Sequence, residues 1–133
     1  MPTLITNIKN SLLTDAINLI SADEVILIEE IPSNENIDPK DRANSPIYNL
    51  TFPDDVKMEI KPVARDDLKQ AAQKLDEIVS DEFENGSEVC FALEGNLLGL
   101  QILEAAKKFN IKKVYVIQAG KLDEFQACYI KGL

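Results

Sequence analysis

Apolar residues along this chain fall into short unbroken runs and longer helical stripes, in alternation. The stretch from Pro2 to Ile8 reads as a strand, with Leu4, Ile5 and Ile8 apolar. Asn7-Ile8-Lys9-Asn10-Ser11 then forms a polar turn in which Ser11 or Asn10 is the expected helix cap. Leu12, Leu13, Ala16, Ile17, Leu19 and Ile20 mark the apolar face of a helix, with Asp15 favourably placed in its first turn. Val25-Ile26-Leu27-Ile28 is a continuous run of strand length, and its lack of alternation predicts a sheet covered on both faces.

Residues 31–56 break the rhythm with Pro32, Pro39, Pro46 and Pro53 spaced through a polar stretch. Ile47 to Phe52 reads as a short edge strand within it. Connections of this length commonly serve as lids or binding loops, so an interface arm stands beside the plain reading of a surface insertion. Met58 to Val63 alternates, and Pro62 points to a strand end or a sheet edge. Asp66 or a neighbour is placed to cap a helix with Leu68, Ala71, Ala72, Leu75, Ile78, Val79 and Phe83 on one face, stopped by Asn85-Gly86. Val89 to Leu93 is the next buried strand. Glu94-Gly95-Asn96 leads into a helix from Leu97 to about Phe109. Val114 to Ile117 is the last strand of the repeat, and Phe125 to Ile130 is expected to return as an antiparallel edge strand. The succession predicts an α/β, three-layer Rossmann-like domain with a mainly parallel sheet, residues 1–133 forming one domain with a long proline-spaced loop at 31–56.

Composition narrows the chemistry. At 133 residues and 45% hydrophobic, the chain has material for one substantial core. The opening residues lack the basic head and apolar stretch of a signal peptide, and no apolar run reaches membrane-spanning length. A cytoplasmic protein without membrane attachment is the expectation. With no histidine and only Cys90 and Cys128, histidine-based catalysis and the common zinc patterns are excluded. Both cysteines sit in apolar stretches, so reduced core thiols are expected over a disulfide. The net charge of −9 disfavours duplex nucleic acid as a partner. Only residues 107–133 are basic, with Lys107, Lys108, Lys112, Lys113, Lys121 and Lys131 against Asp123 and Glu124. These lysines either steer a small anion toward a pocket near the two chain ends or simply surround a helix end.

Open α/β sheets bind ligands beyond the carboxyl ends of their strands, where strand order reverses. That rule selects two loops. One is Asn7 to Ser11, with Thr14 one turn into the helix; the other is Glu94-Gly95-Asn96. Gly95 leaves room for a close backbone approach, while Gly99 reads first as close packing against the sheet and second as ligand clearance. Neither loop has dinucleotide or P-loop glycine spacing, and no cofactor or metal is expected. Asp54-Asp55, Asp66-Asp67 and Glu29-Glu30 are adjacent pairs that cannot share one face, so capping and solvation are their default roles. Cys90 lies mid-strand, where no helix end lowers its pKa. The remaining groups, Asn7, Lys9, Asn10, Ser11, Thr14 and Asn96, suit a phosphate or a polar nucleotide edge and include no evident general base. Cleavage of an RNA-type phosphodiester by its own 2′-hydroxyl is compatible with that set, with Lys9 and Ser11 orienting the nucleophile and stabilising charge.

Leu4 to Thr14 resembles the first strand, ligand loop and helix of small CRISPR-associated Rossmann-fold (CARF) proteins, and Gly86 to Asn96 resembles their later strand and second ligand loop. The resemblance implies a homodimer, a cyclic oligoadenylate ligand of type III CRISPR antiviral defence, and similarity to ring nucleases that cleave the ring without metal. It would place Asn7, Lys9, Asn10 and Ser11 on phosphate or ribose and Gly95 and Asn96 on the opposite wall. Where many relatives carry Lys or Arg just after the second loop, this chain has Glu94 and then apolar residues, an acid that opposes a polyanion unless it faces away or pairs with Lys9. Two other functions fit the sequence: a non-catalytic protein-interaction module using the 31–56 arm, and a flavodoxin-like small-molecule enzyme.

Overall fold

The computed structural model describes residues 2–31, 55–64, 67–85, 88–109, 111, 113–118 and 121–125. Six strands, β1 (Pro2–Thr6), β2 (Glu24–Ile31), β3 (Lys57–Ala64), β4 (Glu88–Leu93), β5 (Lys113–Gln118) and β6 (Lys121–Phe125), form one sheet in the order β3-β2-β1-β4-β5-β6. All neighbours are parallel except β5 and β6. Three described helices, α1 (Leu12–Ile20), α2 (Leu68–Glu84) and α3 (Leu97–Ala106), complete a three-layer Rossmann-like architecture.

Central position explains the unbroken apolar runs. Ile5 on β1 pairs with Ile26 and Phe91 on its two neighbours, and all three are fully buried. Side chains that alternate along the strands feed two cores. On one face, Leu4, Val25, Leu27 and Ala92 meet Leu13, Ala16 and Ile17 of α1. On the other, Ile5, Ile26, Ile28, Phe91 and Val114 meet Leu75 and Val79 of α2 and Ile102 of α3. Phe83 stacks on Phe109 with 4.4 Å between ring centres, fastening the end of α2 to the residues after α3. No helix among the described residues is long and apolar enough to cross a membrane.

Several details differ from the sequence pattern. The antiparallel strand is described from Lys121 to Phe125, its pairing with β5 opening at Gln118 and Lys121 after only two intervening residues, and beyond Phe125 the expected Phe125–Ile130 strand lies outside the described residues. The residues from 126 onward, Cys128 among them, lie outside those described, as do 32–54 with the expected Ile47–Phe52 strand. Pro62 does sit in an edge strand, β3. The third helix stops at Ala106, and Leu19, Leu68, Leu97 and Leu100 point outward, each more than half exposed. Helix α2 is capped by Asp67, whose Oδ1 accepts the Gln70 N–H at 3.0 Å. Cys90 is buried in β4.

Candidate functional site

Strand order reverses between β1 and β4: the chain leaves β1 toward β2 and leaves β4 toward β5, on opposite sides. The loops following these two strands therefore open beside each other at the carboxyl edge of the sheet. Side-chain acceptors shape the first loop locally. Thr6 Oγ1 accepts the Ile8 N–H at 3.0 Å, and Ile8 is anchored in the core. Asn10 Oδ1 accepts the Leu12 N–H at 3.0 Å, whereas Ser11, the residue preceding α1, makes no side-chain capping bond. The helix start is thus organised by Asn10, and the exposed Ser11 hydroxyl is not spent on the cap.

Asn7 joins the two loops. Its Oδ1 accepts the Glu94 N–H at 2.8 Å, and its Nδ2 donates to Asn96 Oδ1 at 3.0 Å. Asn96 Oδ1 also accepts the Gly99 N–H at 2.9 Å, capping α3. Asn7 is only 4% exposed, so its amide is committed to the protein interior. Glu94 lies between the loops, with its carboxyl accepting from Asn10 Nδ2 at 3.3 Å and from Asn96 Nδ2 at 3.5 Å. Lys9 turns to Glu29 instead, with Nζ at 3.8 Å from Oε1.

The two glycines have distinct reasons. A Cβ at Gly99 would land on the carbonyl oxygen of Glu94 and lie 3.4 Å from Asn7 Nδ2. Close packing is therefore its explanation, but against the β4–α3 loop rather than the sheet. A Cβ at Gly95 would meet nothing within 4 Å, and the residue is exposed. The space beside it opens to the outside.

Of the residues selected from sequence, Asn7, Lys9, Asn10, Ser11, Gly95 and Asn96 come from the two facing loops, and Thr14 is half-buried one turn into α1. The edge presents donors from Lys9, Ser11, Asn10 and Asn96. It also presents acceptors on Glu94 and Glu29. Glu29 is hidden in the sequence because it stands beside Glu30 in an acidic pair. The strand alternation separates the two, so that Glu29 follows Val25 and Leu27 on the α1 face while Glu30 borders a groove on the α2–α3 face.

Of the basic segment, Lys121 opens β6 opposite Gln118 at the carboxyl end of β5, while Lys107 and Lys108 lie away from this edge. Helix α3 runs antiparallel to the strands, so Lys107 and Lys108 lie at its far end. They pair with Glu104 at 2.9 Å and Asp76 at 3.2 Å. These two are lysines around a helix end, as the simpler reading had it. Among the described residues, no cluster of three side chains is arranged to hold a metal ion. Comparison with models of known protein families and with curated protein sequences found no match to this chain.

Proposed function

We propose that the paired loops bind a cyclic oligoadenylate across a homodimer. The carrying observation is the Asn7 junction, which locks the β1 and β4 loops together at the switch point of a Rossmann-like sheet, a fold consistent with nucleotide binding. Around it Lys9, Asn10, Ser11, Gly95 and Asn96 supply phosphate and ribose donors, and Glu94 offers an acceptor for an adenine amino group. Asn7 itself holds the loops in place. Leu97 and Leu100, 62% and 58% exposed, lie directly after the second loop, and a twofold contact there would cover them while bringing two copies of the site together.

The test incubates the protein with cyclic tri-, tetra- and hexa-adenylate in EDTA and resolves bound and converted species by chromatography, with light scattering for mass. Binding at one ring per two chains is expected, weakened about 10–100-fold by Lys9→Ala, the usual range for a lost charged hydrogen bond. Linear products would add metal-independent cleavage, with Lys9 and Ser11 as the groups beside the reacting ribose. A protein that neither binds nor converts any of the rings overturns the proposal. The exposed Leu68, Leu97 and Leu100 favour a second reading, a protein-docking edge, which would then stand in its place.

A further inference from the structure

Glu29 is 8% exposed, yet its Oε2 is buried and has no hydrogen-bond partner among the described residues. Among the described residues its other oxygen pairs with the Lys9 ammonium alone, at 3.8 Å, beyond hydrogen-bond length. An acceptor left in this condition costs stability, and such costs persist where a site uses them. The carboxyl also lies next to one of the two candidate ligand loops. It is at the carboxyl end of β2, beside β1, and close enough to Lys9 to touch the first ligand loop.

We infer that Glu29 is a ligand-binding residue whose carboxylate turns outward to accept a hydrogen bond from a ribose 2′-hydroxyl, while neighbouring Lys9 takes the adjoining 3′-phosphate. The pairing rests on the ribonucleotide reading above and deepens it, making the site selective for RNA-type over DNA-type sugars. One carboxylate and one ammonium side by side match a hydroxyl and a phosphate side by side on one sugar. The same arrangement explains how an acidic residue belongs in a site for an anion: Glu29 meets the donor, and Lys9 meets the charge.

The experiment titrates wild type and Glu29→Gln with cyclic tetra-adenylate and with its all-2′-deoxy counterpart, and records the melting temperature of each ligand-free protein. Wild type is expected to prefer the ribose ring by about 10–100-fold, the range for a hydrogen bond to a charged acceptor. Glu29→Gln is expected to lose that preference and to melt no lower than wild type, since Oε2 has no internal partner to lose. Equal binding of the two rings by wild type overturns the inference without recourse to any variant. So does a Glu29→Gln protein that keeps the ribose preference, or one that melts well below wild type, which would make the carboxyl structural. If wild type binds no ring, the oligoadenylate reading falls by itself. Adenosine 3′-monophosphate and its 2′-deoxy counterpart then decide Glu29: a ribose preference lost in Glu29→Gln supports it, and no such preference overturns it.

Discussion

A single asparagine amide decides how the two loops meet. Asn7 gives its oxygen to the backbone of Glu94 and its nitrogen to the side chain that caps α3, so β1, β4 and α3 share one polar junction. Gly99 packs into the same junction, and this fixes the sign of its substitution. Alanine would normally gain about 1 kcal/mol over glycine inside a helix. Here its methyl group would strike the Glu94 carbonyl, a backbone atom that cannot swing aside. Gly99→Ala is therefore expected to lose about 1–3 kcal/mol net in urea denaturation, as overpacked sites do. Gly95→Ala, facing open space, is expected to unfold with wild type; a stabilised Gly99→Ala protein would contradict the packing account. The polar loop residues were legible in the sequence because they interrupt apolar runs. Glu29 was not, because an acidic pair at a strand end shows alternation without showing which side is covered.

The elements themselves carry a smaller cost at the end of α1. Ser21 closes that helix with φ 57° and ψ 47°, the left-handed conformation that suits glycine, and the next residue returns its N–H to Ile17 O at 3.1 Å. Removing the Cβ relieves a steric cost of about 1–2 kcal/mol, part of which glycine's greater unfolded-state freedom offsets. Ser21→Gly is thus expected to raise stability by about 0.5–1 kcal/mol, seen as a higher urea midpoint with an unchanged slope. Helix and strand types were legible because their periods are local. The position of β6 was not. Lys121-Leu122-Asp123-Glu124-Phe125 has no apolar run, and its place is set by pairing with β5. The outward leucines show a similar limit: a helical stripe names its apolar residues, but the width of the surface opposite decides how many are covered.

Across the whole molecule, the acidic excess converges where α2 passes over the edge of the sheet. Burial raises the pKa of Glu82 above the ordinary 4.5, and the charges of Glu24 on β2 and Glu59 on β3 raise it further. A carboxyl with a raised folded-state pKa favours folding when protonated, and this contribution is lost as pH rises through the folded value. Glu82→Gln is consequently expected to melt above wild type at neutral pH, with the gap closing as pH falls below about 4.5, the ordinary value. A pH-independent difference would show that burial and charge are not its origin.

The sequence alone determined the alternation of strands and helices, the burial of the central strands, the mainly parallel sheet and the two loops at its carboxyl edge. Those features follow from periodicity and from residues close together in the chain. Tertiary structure alone decided that Asn7 and Glu94, 87 positions apart, are bonded, that Lys9 faces Glu29 and that Glu94 faces Asn10. It also decided that Lys107 and Lys108 stand at the far end of α3 from the loops. The reason is that strand order and the direction in which each helix returns bring together residues that no local pattern relates.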